Sequence, residues 1–389
     1  MYFLPSRGGA NKSNRLVVEH LASKGHEVHV VAPLKGQIQY RELADMPAYL
    51  TSLGARIIDR SDHLLTYEHR GVTVHGVERA QDLSRAVARE LEAASTDFAL
   101  VSNDDPGMML LSAALRRARV LYLVHTLPQL PFGPRAFYPS ESATAMIRRT
   151  AGIVSISRAT HDYLEEYAGL PSEVIYPDVY SGVSLRDPDP AEQRYVTLVN
   201  ACQYKGIDLF LAMADALPDV PFLAVEGWGT TDADRAALAA RPNIEISPGG
   251  DDMDAIYGRT RVLVMPSLWD ETFGYCCVEA MLRGVPVLAA DVCGMRESKL
   301  GVDYVLPVRP IERYPEATSA VLPKGRVPEQ DPRPWISTLR GLLSDDDRYQ
   351  RLARQSRDAA TAFVDSLEPD AIERLLIRLR DDVGVAATR

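Results

Sequence analysis

Four cysteines are all that 389 residues contain: Cys202, Cys276, Cys277 and Cys293. No two of them form a Cys-x-x-Cys pair. This excludes a disulfide framework and reads as reduced cysteine used for small core positions in a cytoplasmic chain. No stretch approaches the roughly 20 apolar residues that span a bilayer. No charged segment followed by an apolar run opens the chain, so no secretory signal is visible. Positive charge is not in excess either. Lys and Arg number 43 against 53 Asp and Glu, a formal net charge of -10 with a pI near 5.4. That argues against a nucleic-acid partner and weakens a membrane-surface reading. The dinucleotide fingerprint Gly-x-Gly-x-x-Gly is missing, and no internal repeat is evident.

What is present is globular: 46% hydrophobic and 25% charged residues, in a length that accommodates two domains. Strands and helices alternate. Leu16 to Gly25 reads as an amphipathic helix closed by glycine, and His26 to Ala32 as a strand. Gly8 and Gly9 stand before that helix, where glycine permits close approach to phosphate oxygens; the plain alternative is a strand-to-helix turn. Gln37 to Leu65 is irregular. Val72 to Gly76 and Phe98 to Ser102 read as strands around a helix at Leu83 to Ala94. Asn103 to Pro106 follows a strand end, where it either touches a ligand or caps the helix beginning near Gly107. Val120 to His125 is a strand ending in histidine. Ala151 to Ser157 is the next strand, followed by a helix from Arg158 to Tyr167. This alternation predicts parallel sheets covered on both faces.

Tyr176 to Gln193 has linker composition, and the domain boundary is placed there: residues 1–178, then 179–368, with a last helix in 369–389. Tyr195 to Asn200 restarts the alternation. Lys205-Gly206 opens a helix from Ile207 to Leu217. A lysine at that place is electrostatically unfavourable, because the helix dipole attracts anions there, and a bound anion removes the conflict; the alternative is a solvated lysine. Asp252-Met-Asp254 reads as a helix cap before Tyr257 rather than a cation site.

The stretch Met265 to Ala289 carries the most chemistry. A strand ends at Met265, a turn runs through Pro266 to Gly274, a helix continues to about Arg283, and a strand begins at Val285. Glu279 lies among Cys276, Cys277, Val278, Ala280, Met281 and Leu282, a pattern that predicts a helix buried all round. A carboxylate there is costly without a partner. Either it accepts hydrogen bonds from ligand hydroxyls such as a ribose, or it pairs with Arg283 at i+4. Thr272 to Gly274 lead into a helix N-terminus, which attracts anions, and Gly274 has no side chain to block a ligand. Glu271 stands in the same turn.

The pattern Glu271-Thr-Phe-Gly-Tyr-Cys-Cys-Val-Glu279, followed by Gly-Val-Pro-Val and Gly294-Met-Arg-Glu297, resembles the retaining GT-B glycosyltransferases of family 4. The resemblance implies two doubly wound α/β, Rossmann-like domains facing across a cleft, with the nucleotide-sugar donor in the second and the acceptor in the first. It assigns Glu279 to the ribose, and Lys205, the amides around Phe273-Gly274 and the Gly8-Gly9 loop to the diphosphate. It gives His125 and Glu271 contact with the transferred sugar. It implies transfer with retained configuration, no metal requirement and no cofactor beyond a UDP-, GDP- or dTDP-sugar donor. It also implies that the last helix crosses back to the first domain.

Two departures stand out. Relatives carry an opening strand, for which only Tyr2 to Leu4 is available unless residues are missing. Many carry Gly-Arg where Val199-Asn200 stand, leaving Arg7, Lys12 or another residue to replace the arginine. Acidic charge favours a small soluble acceptor, such as an aminoglycoside or another secondary metabolite. An epimerase or phosphorylase on the same fold, a catalytically inactive binding module and an inverting transferase are the rival readings.

Overall fold

The computed structural model describes residues 2–6, 8–34, 45–61, 63–105, 107–180, 192–250, 252–314 and 325–386. Arg7, Pro106, residues 37–44 of the irregular stretch, residues 181–191 of the linker and residues 315–324 of the segment before Trp335 lie outside them. The chain divides into two compact units. One comprises Met1–Val179 with Leu367–Arg389, the other Tyr180–Ser366.

The first unit holds two separate four-stranded sheets. Its strands are β1 (Val28–Pro33), β2 (Arg56–Ser61), β3 (Leu64–His69), β4 (Val72–Val77), β5 (Phe98–Ser102), β6 (Arg119–Val124), β7 (Gly152–Ser155) and β8 (Glu173–Val174). The orders are β1-β4-β3-β2 and β5-β6-β7-β8. The second sheet is parallel throughout. The first is not: β3 runs antiparallel to both β2 and β4. This corrects the expectation of purely parallel sheets. The cause is a two-residue hairpin at Arg70-Gly71, both at positive φ (50° and 79°), the geometry whose twist matches paired antiparallel strands. At the edge, β2 exposes all its residues but Ile57, so no alternation marks it in the sequence.

Tyr2 to Leu4 does not form a strand. Phe3 is fully buried instead, its ring 6.5 Å from Tyr67 and 6.2 Å from His69. The following Pro5 has no N–H to donate to a ladder. The opening helix starts earlier than expected and spans Gly9–Ser23, with Gly8 as its N-cap at φ 85°. The last helix, Ala371–Ala386, belongs to this same unit. Its Ile372 and Leu375 pack with Leu121, Leu123, Val154 and Ile175.

The second unit carries β9 (Tyr195–Val199), β10 (Phe222–Val225), β11 (Ile244–Ser247), β12 (Thr260–Met265), β13 (Val287–Ala290) and β14 (Val305–Leu306). All pair in parallel, in the order β11-β10-β9-β12-β13-β14. Counted from β9 this is 3-2-1-4-5-6, the doubly wound order. The order reverses between β9 and β12, and ligands of such sheets bind outside the carboxyl ends at that reversal. The loops at Asn200–Gly206 and Pro266–Gly274 leave those two strand ends.

These loops are laced together. Leu268 N–H donates to the Tyr204 carbonyl at 2.9 Å. Gly206, at φ +76°, faces the Pro266 carbonyl so closely that an added Cβ would lie 2.0 Å from its oxygen. Gly301 has nearly the same φ, +78°, with nothing within 4 Å. Gly301→Ala should therefore lower the stability of this unit by about 1–2 kcal/mol from backbone strain alone. Gly206→Ala should cost at least about 2 kcal/mol more, because the backbone must also move. Urea unfolding followed by a probe in this unit measures both, and equal midpoints would refute the tight approach.

Candidate functional site

At the strand reversal in the second unit, Lys205 ends a short turn, Gln203–Lys205, ahead of the helix Ile207–Ala216. Its ammonium forms an ion pair with the Glu271 carboxylate. Ser267 Oγ donates to the same carboxylate oxygen at 2.5 Å. Both charged groups are mostly enclosed, at 18% and 12% side-chain exposure. Glu271 thus offsets the unfavourable placement of a lysine at a helix start.

Aromatic rings surround this pair, which sequence reasoning missed. Lys205 Nζ lies 4.8 Å from the Trp269 ring centre and 6.0 Å from that of Trp228. The two indoles are 5.3 Å apart, and Tyr204 lies 6.1 Å from Trp228 and 5.8 Å from Trp269. A cation over ring faces gains electrostatically and is shielded from water. The rings come from three loops, so no spacing announces them. The only signal was Trp228 and Trp269, each just past a strand end.

The turn after Glu271 reaches its helix as expected, at Tyr275–Leu282. Phe273 is buried, its ring 5.5 Å from Phe363. Gly274 is the N-cap at φ 98°, and a Cβ there would meet Met295 Sδ at 2.7 Å and Ser298 Oγ at 3.2 Å. Its missing side chain therefore makes room for the helix Met295–Ser298 rather than for a ligand. Gly294 packs on the same turn: its N–H donates to the Glu271 carbonyl at 2.8 Å, and a Cβ on it would lie 2.1 Å from the Thr272 carbonyl oxygen.

The helix Tyr275–Leu282 is not buried all round, which corrects the sequence expectation. Cys277, Val278, Ala280, Met281 and Leu282 are buried, while Tyr275, Cys276 and Glu279 form a half-buried strip at i, i+1 and i+4. Glu279 does not pair with Arg283. The Arg283 guanidinium bonds Asp254 at 2.7 Å and the Glu279 backbone carbonyl at 2.7 Å. The Glu279 carboxylate accepts from Tyr257 OH at 3.0 Å. Burial, with Cys276 and Glu279 beside it, raises the Tyr257 phenol far above its ordinary value, so it stays a donor. Burial, followed by the charge of Glu279, pushes the Cys276 thiol up to about 12, so it is no nucleophile. Asp252 caps the helix Met253–Tyr257 through Ala255 N–H at 3.2 Å. The Asp252/Asp254 pair is thereby used structurally.

Asn200, which stands with Val199 where the resemblance led us to expect Gly-Arg, adopts a left-handed φ of 60°. Its Oδ1 accepts from Gly229 N–H at 3.0 Å, and a Cβ on Gly227 would overlap it at 2.3 Å. The asparagine therefore fixes the Gly227–Gly229 turn that carries Trp228.

In the first unit, His125 follows β6 directly and is buried. Its Nε2 lies 2.8 Å from Asn14 Oδ1; that oxygen only accepts, so Nε2 carries the proton. Asn103 Oδ1 accepts from the His125 N–H at 2.8 Å. Burial drives the imidazole down to about 4, so it is neutral near pH 7 and offers hydrogen bonds rather than charge. Asp105 accepts from Met109, Leu110 and Leu111 N–H at 3.2, 2.8 and 3.0 Å, so Asp105 caps the helix that begins there. Gly8 has open space around its Cβ direction, and Gly9 begins the helix whose first amides lie beside it. The structure brings Lys205, Glu271, Phe273 and Gly274 into one turn pair, with Glu279 on the helix that follows. His125, Gly8 and Gly9 stand in the other unit.

Two family models match: Glycosyltransferase Family 4 over residues 7–179 and Glycosyl transferases group 1 over residues 193–322. A D-inositol 3-phosphate glycosyltransferase from Salinispora arenicola is 28% identical over 225 residues, 57% of this chain and 41% of that protein. An uncharacterised 42.6 kDa protein of the Klebsiella pneumoniae cps region is 31% identical over 124 residues, 32% of this chain and 33% of that one. The chain thus spans less than half the length of these curated relatives. Among solved structures, sucrose-phosphate synthase from Thermosynechococcus elongatus aligns with TM-score 0.64 at 17% identity, over 97% of this chain and 94% of its own. Anabaena HepE in complex with UDP and glucose aligns with TM-score 0.63 at 16% identity, over 100% and 98%. The strand order, the turn pair at its reversal and the two matched models agree: the chain belongs to the family 4 glycosyltransferases, with the GT-B fold of two Rossmann-like domains.

Proposed function

We propose that the protein transfers a sugar from a nucleotide-sugar donor to a small, soluble, hydroxyl-bearing acceptor, with retention of configuration. The observation that carries the reading is the Lys205–Glu271 pair at the strand reversal, eight residues before Glu279 on the adjoining helix. Lys205 exchanges Glu271 for the donor diphosphate, aided by the amides that follow Phe273 and Gly274 at the helix start. Glu271, released, accepts from hydroxyls of the transferred sugar. Glu279, oriented by Tyr257, accepts from the ribose. The indole of Trp228 or Trp269 offers a face for the donor. Fixed donors on the departing diphosphate supply the main catalytic term.

In the first unit, neutral His125 is the hydrogen-bonding contact for the transferred sugar, and Gly8 and Gly9 offer amides to an anion. No general base is assigned, in keeping with front-face attack assisted by the leaving phosphate. Curated relatives named for D-inositol 3-phosphate support a small acceptor rich in hydroxyls. Structures bound to UDP and glucose or to UDP-glucose support a nucleotide-sugar donor, with UDP-, GDP- and dTDP-sugars as the candidates. The domain roles follow: residues 1–178 serve the acceptor and residues 179–368 the donor.

A thermal-shift series with UDP-, GDP- and dTDP-sugars should give the largest rise in Tm for one nucleotide class; a flat response across all three would reject the donor site. Lys205→Ala and Glu271→Ala should each cut transfer, or donor hydrolysis, by at least about 100-fold while the protein stays folded by circular dichroism. Near wild-type turnover in both removes the assignment. Glu279→Ala and Tyr257→Phe should raise the donor KM more than they change kcat, since they act on a remote part of the donor. If Glu279 is only structural, Tm falls and donor affinity does not move.

A further inference from the structure

We propose that the first unit binds one zinc-class divalent cation through His29, His75 and Glu90, outside the residues assigned to the donor. None of the three carries a sequence signal. His29 and His75 are 46 residues apart, and Glu90 lies on the helix Leu83–Ala93. The register of β1 on β4 brings the histidines together. His29 pairs with Thr73, so His29 and His75 sit on the same face of neighbouring parallel strands, offset by two residues.

The distances have the shape of a coordination sphere. His29 Nδ1 lies 3.2 Å from His75 Nε2. Glu90 Oε2 lies 3.2 Å from His75 Nε2 and 3.6 Å from His29 Nδ1. A tetrahedral ion with ligand bonds of about 2.0–2.1 Å spaces its ligand atoms about 3.3 Å apart. Three ligand atoms at nearly that spacing leave the fourth position to water, and His29 keeps an exposed side.

The outer hydrogen bonds strengthen the case. The far nitrogen of each ring faces an acceptor: His29 Nε2 lies 3.2 Å from Glu27 Oε1, and His75 Nδ1 lies 3.4 Å from Thr66 Oγ1. Histidines that bind metal donate their other N–H in this way, which fixes the tautomer and aims the lone pair inward. In the tautomers that place both ring protons outward, His29 Nδ1 and His75 Nε2 present two lone pairs to one another and to a carboxylate. A cation at the centre resolves that arrangement. Two imidazoles and a carboxylate suit zinc and its neighbours in the first transition row better than magnesium or calcium.

The ion would serve as a staple. No residue of the helix Leu83–Ala93 is fully buried, and a shared ion would tie Glu90 on that helix to His29 on β1 and His75 on β4.

The test uses the full chain, stripped with a chelator and titrated with Zn²⁺ alone by calorimetry. One ion per chain is expected. His29→Ala and Glu90→Gln should each weaken binding by more than about 100-fold, beyond the effect of losing an outer partner. Zinc should raise Tm in the parent and not in these variants, and Co²⁺ should give a tetrahedral visible spectrum only in the parent. Absence of a stoichiometric site in the parent, or unchanged binding in both variants, overturns the proposal and leaves the cluster a network sharing one proton.

Discussion

The second unit is arranged around one contact between backbones: Gly206 against the Pro266 carbonyl, where no side chain fits. Because those two loops leave adjacent strands at the sheet's reversal, their close approach decides where Lys205 can point. It points at Glu271. The Tyr204 carbonyl then receives the Leu268 N–H, the Glu271 carbonyl receives the Gly294 N–H, and Gly274 yields its Cβ space to Met295. Each bond removes a freedom from the turn that carries the carboxylate. A site built from loops becomes as rigid as the strands it leaves, which is what positioning of a ligand requires.

The second carboxylate is placed by a different device. Glu279 lies on the half-buried strip of an otherwise buried helix. Arg283 is the nearest cation in sequence, yet it is drawn to Asp254 and to the Glu279 carbonyl. The carboxylate accepts from the neutral Tyr257 phenol. A neutral donor orients an acceptor without consuming its charge, whereas an ion pair along the helix would have done both. The same reasoning separates His125 from a catalytic acid: burial holds it neutral, and Asn14 fixes which nitrogen bears the proton.

Much of this was legible in the chain. The glutamates eight apart, the Lys-Gly pair and the β12-turn-helix-β13 order needed only spacing and helix-end chemistry. So did most strands of the second unit, which are short apolar runs buried on both faces. The antiparallel meander of the first unit was not legible, because β2, Arg-Ile-Ile-Asp-Arg-Ser, is an exposed edge whose two isoleucines are adjacent, with no alternation to detect. The helix face of Glu279 was misread, since cysteine and tyrosine look apolar in sequence while one side of the helix remains reachable. Gly274 was read as an opening for a ligand, but a sequence cannot show which neighbour occupies the space a glycine leaves. The rings around Lys205 and the His29, His75 and Glu90 cluster are long-range products of sheet register, and spacing has no purchase on them.

The Lys205–Glu271 ion pair matters for the proposed chemistry. A lysine and a carboxylate left unpaired in that enclosed place would each be costly to hold. Paired, and with the ammonium against two indoles, they wait in a low-energy arrangement. On the proposed reading, donor binding replaces one neutralised pair by two new contacts, ammonium with diphosphate and carboxylate with hydroxyl, without stranding either charge. Such an exchange would contribute little to ground-state affinity, because the protein would give up its own salt bridge. As negative charge grows on the departing diphosphate, the ammonium's hold strengthens, and only interactions stronger in the transition state accelerate the reaction. The internal salt bridge is therefore compatible with catalysis: it tempers binding of the donor while leaving the gain for the step in which charge develops.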